Sequence, residues 1–347
     1  MLTEKQISEI KSHLEKAQNP IFFFDNDPDG LCSFLLLQRA YGKGKGVPIK
    51  SFPEFSAEYF RKVNELNADY IFILDKPVVS DAFFEEARQV NIPVVWIDHH
   101  DIGKNKVPEF VNYYNPFYNK TKSNEPVTYL CYRITEKKED LWIAIIGCIC
   151  DNFIPEFYKK FQKDYPDLST ESHKALGIYY DSQIGKIAQM LNFGLKDRVS
   201  NVISMLKFLM KAKTPYDVLN ETPENKEIHK RFEEVDKKYR KLLEKAVDSD
   251  KSKNLLFFQY GGDLSISADI ANALMYRFPK KTIAVARDSG GKTSISLRGK
   301  GIKKTVLNIL PEFENATGGG HEDAVGVKVM TEDIEKFRKR LEEETEK

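Results

Sequence analysis

Carboxylates gather at the ends of three apolar runs in the first hundred residues. IFFFDNDPDG (21–30) carries Asp25, Asp27 and Asp29; YIFILD (70–75) closes on Asp75; VVWIDHHD (94–101) closes on Asp98, His99, His100 and Asp101. Residues i, i+2 and i+4 of an extended segment share a side, so the first three acids can face one ligand. Carboxylates crowded together out of water repel each other, and divalent cations relieve both the repulsion and the desolvation. Asp oxygens joined by an imidazole nitrogen suit Mn²⁺ or Mg²⁺, and no Cys joins the cluster to suggest structural zinc. Two ions about 3.5–4 Å apart, with Asp75 between them, would make a clamp suited to in-line attack on phosphorus. Gly30 frees the backbone at the turn into a helix whose N-terminus adds positive potential.

The elements that must position these groups are legible in the hydrophobic pattern. Residues 3–17 read as an amphipathic helix, 21–25 as a buried strand and 31–41 as a helix, followed by a loop at 42–48 and a short strand within 49–55. A helix near 56–67, a strand at 69–75, a helix at 80–90 and a strand at 91–98 follow. Strands apolar on both faces, alternating with helices, imply a parallel sheet covered on both sides, and ligands bind such sheets at the carboxyl ends of the strands. Residues 139–151 read as a buried helix and 155–250 as mostly helical, including a charged helix at 222–247 with a solvated face. From 251 a second α/β pattern begins, with strands at 254–260, 282–288, 293–299 and 325–330, helices between and after them, and a GGGH loop at 318–321.

The expected fold class is therefore α/β: an N-terminal parallel-sheet domain (1–155), a helical connector (156–250) and a smaller C-terminal α/β domain with a mixed sheet (251–347). A chain of 347 residues has room for about two domains. A net charge of +1 excludes a binder that holds nucleic acid by bulk electrostatics. No apolar run approaches the ~20 residues of a membrane span, and the N-terminus lacks the apolar core of a secretory signal. Four Cys, three of them in apolar runs, fit a reducing compartment, and a cytoplasmic location is expected.

The Asp98-His99-His100 triplet, with Asp27-x-Asp29 upstream and Asp75 between, resembles the DHH phosphoesterase superfamily. IGCICDN (146–152) is similar to the family's fourth motif, whose Asp is here Asp151, and TSISLRG (293–299) and TGGGHEDAVG (317–326) resemble its associated substrate-binding domain. The resemblance implies a two-metal phosphoesterase, usually Mn²⁺-dependent, with a cleft between two α/β domains. It implies that Asp27 binds the first ion, Asp29 the second and Asp75 both, with His99 and Asp151 completing the second site. His100, with Asp98, would act near the phosphate or the attacking water. Arg298 and the Gly318, Gly319, Gly320 and His321 segment would hold a substrate phosphate or terminal nucleotide. That agrees with elementary chemistry, because a glycine run exposes backbone N–H groups and Arg forks onto phosphate oxygens. One position departs: Phe23 stands where the family's first motif carries a His, and Asp25 is the candidate replacement on the same face.

The leading expectation is a RecJ-like exonuclease or nano-RNase that cuts single-stranded RNA, DNA or short oligonucleotides to mononucleotides. Basic segments at 39–50 and 290–304 offer tracks for a phosphodiester backbone, and Tyr113, Tyr114 and Phe117 are candidate stacking residues. A small-molecule phosphoesterase for cyclic dinucleotides or 3′-phosphoadenosine phosphate is the alternative. A third reading is a catalytically silent scaffold in a replication or repair complex. A replication or repair protein and a second copy of the chain are the protein partners to consider; a membrane is not.

Overall fold

A computed structural model describes residues 1–50, 54–103, 106–249 and 254–346. The chain divides into two compact units, Met1–Phe232 and Glu233–Lys347.

The first unit runs α1 (Glu4–Lys16), β1 (Pro20–Asp25), α2 (Pro28–Tyr41), β2 (Lys45–Ile49), β3 (Glu54–Phe55), α3 (Arg61–Glu65), β4 (Tyr70–Leu74), β5 (Val78–Val79), α4 (Asp81–Gln89), β6 (Val94–Ile97) and β7 (Val111–Tyr114). Helices α5 (Val127–Thr135), α6 (Leu141–Cys150), α7 (Tyr158–Asp164), α8 (Ala175–Asp181), α9 (Gln183–Leu195), α10 (Val199–Leu209) and α11 (Pro215–Leu219) follow, and α12 (Lys226–Asp248) carries the chain across the boundary. Five strands form one sheet in the order β2-β1-β4-β6-β7, every neighbour parallel. The run Ile21–Phe24 shows why this sheet must be covered twice. Phe22 and Phe24 pack on Phe34 of α2 at ring distances of 5.6 and 5.3 Å, whereas Phe23 packs on Phe55 and Phe83 at 4.9 and 5.7 Å on the other face. Buried residues of α6 to α10 continue the α2 face into one core, so much of the segment expected as a connector packs into this unit.

Two differences from the sequence pattern have local causes. The expected loop at 42–48 ends in strand β2. Its Gly and Pro, which read as turn residues, suit an edge strand: Gly46 leaves room for the Phe34 ring, which a Cβ would meet at 2.7 Å, and Pro48 sits opposite Phe24 where a missing donor is tolerated. Of the short strand expected within 49–55, residues 51–53 lie outside the described residues. Strand β7 and helix α5 are short and mixed in polarity, and the hydrophobic pattern does not reveal them.

The second unit contains β8 (Leu255–Gly261), α13 (Ser267–Arg277), β9 (Thr282–Asp288), β10 (Lys292–Arg298), α14 (Ile302–Ile309), β11 (Thr317–His321), β12 (Ala324–Met330) and α15 (Ile334–Thr345). Its sheet is mixed, in the order β11-β12-β10-β9-β8, with only β8 and β9 parallel. Residues of α14 and α15 bury one face of the sheet through Val306, Ile309, Phe337 and Leu341. The GGGH segment expected as a loop is the exposed edge strand β11. Gly320 there has φ +146°, and a Cβ would lie 2.3 Å from the Ala324 carbonyl, so only glycine closes this hairpin.

Candidate metal centre

The carboxyl ends of β1, β4 and β6 meet at one edge of the first sheet, and the N-terminus of α2 starts there. Asp27 caps that helix: the Gly30 N–H donates to its Oδ1 at 2.9 Å, and Pro28 follows at the first helical position. Gly30 is needed where α2 crosses the end of β1, since a Cβ would sit 2.4 Å from the Asp25 carbonyl oxygen. In the first turn of α2, Asp29 is 3 % exposed and accepts from the Val127 and Thr128 N–H groups at 2.9 and 2.7 Å. One carboxylate thus caps α5 from a position 98 residues earlier in the chain.

Asp75 has φ +60°, a left-handed conformation beyond the last strand residue. It is buried, and its Oδ1 lies 3.4 Å from His99 Nε2 while making no hydrogen bond of accepted geometry. His99 Nδ1 donates to the Asn124 carbonyl at 3.1 Å, which turns Nε2 toward Asp75. Asp151, at the end of α6, places Oδ2 3.8 Å from His99 Nδ1. Asp98 is fully buried and works one step back: its Oδ1 holds His100 Nδ1 at 2.8 Å, while Tyr113 and Asn115 donate to its Oδ2. With Nδ1–H committed to Asp98, the lone pair of the neutral His100 ring is on Nε2.

Charge crowding shows in the titration of these groups. Burial first, then Asp25 and Asp29, pushes the Asp27 carboxyl up to about 8. Burial, Asp29 and Asp27 raise Asp75 well above the usual carboxylate range against the pull of His99. Burial lifts Asp151 to about 6, opposed by His99 and His100. For His99 burial favours the neutral ring, but the Asp75 carboxylate 3.4 Å away and the charges of Asp151 and Asp29 reverse that and hold its pKa well above the ordinary value. A site that forces carboxyls to keep protons is short of positive charge.

The donor set fits divalent cations. Atoms of Asp29, Asp75 and His99 lie within 4.8 Å of one another, as do atoms of Asp25, Asp27 and Asp75. All are hard oxygens or imidazole, and the buried Asp75 oxygen is aimed into the cluster with no donor to satisfy it.

The remaining residues divide. Asp25 lies in the cluster, but Lys76 Nζ donates to its Oδ1 at 3.0 Å. Lys76 is fully buried, and nothing in the sequence pattern marks it. Phe23 lies in the aromatic core and offers no donor. Asp101 turns outward and accepts from Gly103 N–H and the Tyr118 hydroxyl. Tyr113 and Tyr114 do not offer stacking faces: Tyr113 packs on Trp96 at 4.6 Å and serves Asp98, and Tyr114 is buried. The basic segment at 39–50 is largely committed to structure, because Arg39 pairs with Asp140, Lys43 donates to the Glu15 and Ala17 carbonyls, and Lys50 donates to the Asp197 carbonyl.

In the second unit, register aligns the other predicted group. Arg298 and His321 both pair with Ala324, so they share one rung of the sheet, and Ser296, Gly326 and Gly319 form another. A Cβ on Gly319 or Gly326 would meet nothing within 4 Å, so packing does not require glycine at either position. Arg298 is held by Nε donating to Asn272 Oδ1 at 2.6 Å and by Nη1 donating to the Leu297 carbonyl at 2.8 Å.

Family models match both units: the DHH family N-terminal domain over residues 21–150 and the DHHA1 domain over residues 252–347. The chain belongs to the DHH phosphoesterase superfamily. Among solved structures it is similar to RecJ from Thermus thermophilus in complex with Mn²⁺, with a TM-score of 0.72, 14 % identity and coverage of 98 % of this chain and 54 % of that one. The DHH chain thus spans about half the length of that RecJ. A second structure, an exonuclease RecJ bound to manganese, has a TM-score of 0.66 at 15 % identity, covering 100 % of this chain and 95 % of that one. A third, the DHH domain of a member of a family of ribosomal proteins, has a TM-score of 0.69 at 16 % identity, covering 99 % of this chain and 92 % of that one. No curated protein matches the chain by sequence. Among the described residues, no helix is long and apolar enough to cross a membrane.

Proposed function

We propose that this DHH protein is a metal-dependent phosphodiesterase that hydrolyses single-stranded nucleic acid or short oligonucleotides to mononucleotides. The observation that carries the reading is the convergence of Asp27, Asp29, Asp75 and His99 around a buried carboxylate oxygen that lacks a donor. Asp25, Asp27 and Asp75 would hold one cation, Mn²⁺ in preference to Mg²⁺, and Asp29, Asp75, His99 and Asp151 a second. When bound, such cations polarise the P–O bond and make water a nucleophile near neutral pH. The chain's own groups do the rest. His99 is kept in one orientation by the Asn124 carbonyl, and His100, oriented by Asp98, would exchange a proton with water or with the departing oxygen. Arg298, fixed by Asn272, would fork onto a phosphate, and the Ser296–Gly326–Gly319 rung gives a flat floor on which a sugar or base can lie.

The test is incubation with Mn²⁺ and end-labelled 5-mers and 30-mers of RNA and DNA, with cyclic dinucleotides and 3′-phosphoadenosine phosphate in parallel. Release of mononucleotides from the oligomers is expected. Turnover of the small nucleotides alone would replace this reading with a small-molecule phosphoesterase. No hydrolysis, with less than one ion bound per chain, would leave a non-enzymatic scaffold.

A further inference from the structure

Lys76 is a lysine with no access to solvent, beside a cluster suited to divalent ions. Burying an ammonium is costly unless it is paired, and it is paired with Asp25, one of the candidate ligands, at 3.0 Å. The pairing is built in. Neighbouring residues of a strand point to opposite faces, yet Asp75 reaches His99 while Lys76 reaches Asp25, and the left-handed backbone at Asp75 accompanies that turn. The Trp96 indole N–H then donates to the Lys76 carbonyl at 2.9 Å in a buried hydrogen bond. The two halves of the cluster are therefore unlike. The half formed by Asp29, Asp75 and His99 has an imidazole donor; the half formed by Asp25, Asp27 and Asp75 has oxygens only and a fixed positive charge on one of them.

Building on the metal-dependent reading above, we propose that Lys76 is a resident monovalent countercharge that makes the two cation positions unequal. An ion at Asp29, Asp75, His99 and Asp151 is held tightly. An ion beside Asp25 and Asp27 is held weakly, because it competes with the ammonium for Asp25 and is repelled by it. The weak ion then joins only when a substrate phosphate supplies further negative charge.

Mn²⁺ titration of the full chain, followed by calorimetry and electron paramagnetic resonance, tests this without any turnover. The wild type is expected to take up one ion tightly, with an uncoupled signal, and a second at least about tenfold more weakly. Lys76→Met should tighten the second ion by at least about tenfold and give the signal of a coupled pair, leaving the first ion's affinity unchanged. Lys76→Arg should keep the wild-type pattern. A coupled pair in the wild type at two equivalents of Mn²⁺ would overturn the proposal, and that measurement stands even if Lys76→Met fails to fold. An unchanged second affinity in a folded Lys76→Met would overturn it too. No Mn²⁺ uptake by any of these chains would instead remove the metal-dependent reading on which the proposal rests.

Discussion

The two ends of α2 hold buried charge in opposite ways. At its C-terminal end Arg39 donates to Asp140 through Nε at 2.8 Å and to the Leu209 and Ala212 carbonyls through Nη1. Positive and negative charge are matched there, and the pair ties α2 to the segments before α6 and after α10. At its N-terminal end Asp27 and Asp29 join Asp25, Asp75 and Asp151, with Lys76 and His99 beside them, and the Asp27 and Asp75 carboxyls are pushed up far enough to keep protons. A buried charge that is balanced locally serves the fold. A buried excess of one sign marks where the fold expects something from outside.

Substitutions at the two ends should separate activity from stability. Asp75→Asn keeps a residue that tolerates the left-handed backbone and removes the carboxylate proposed to serve both ions. It should lower the rate of phosphodiester hydrolysis by more than about a thousandfold, read in single-turnover assays. The melting temperature of the metal-free protein should not fall. Arg39→Ala leaves buried Asp140 with only Lys137, 3.9 Å away, and should cost about 3 kcal/mol of stability in denaturant titration, while the rate per folded molecule stays near wild type. Equal destabilisation by the two changes would erase the contrast.

The smallest effect is a pH dependence. The carboxyl of Asp27 is raised from an ordinary 3.8 to about 8, so the folded state binds a proton that the unfolded state has lost through that window. Stability of the metal-free protein should therefore fall as pH rises, and His99, also raised, works in the same direction. Between about pH 6 and 8 the melting temperature should drop by on the order of 5 °C, and saturating Mn²⁺ should remove most of that slope. Arg39→Ala should lower the curve without changing its slope. A metal-free slope of zero would mean that the acids are not crowded as their geometry implies.

Much of this is legible in the sequence alone. Strands with apolar residues at every position imply a parallel sheet, and acids at their ends mark the edge of the candidate site. What escapes the sequence is contact between distant residues. Nothing marks Lys76, one step past a strand-end Asp; its burial accompanies a left-handed residue at Asp75 and the Trp96 indole on its carbonyl. Arg39 and Lys43 read as a track for phosphates because their partners, Asp140 and the end of α1, lie outside the segment. The glycines of β2 and β11 look alike in sequence, although Gly46 makes room for a ring and Gly319 faces open space.

Asp29 emerges during synthesis 98 residues ahead of Val127, whose amide is one of the two that will donate hydrogen bonds to its carboxylate. Until α5 exists and docks, that carboxylate is an ordinary hydrated acid, and the repulsion at this edge of the sheet is screened by water. The electrostatic load of this acidic cluster is thus deferred until the helix that helps carry it has been made. The Val127 and Thr128 amide protons should exchange with solvent only when that docking is undone, which makes them direct reporters of whether the centre is assembled.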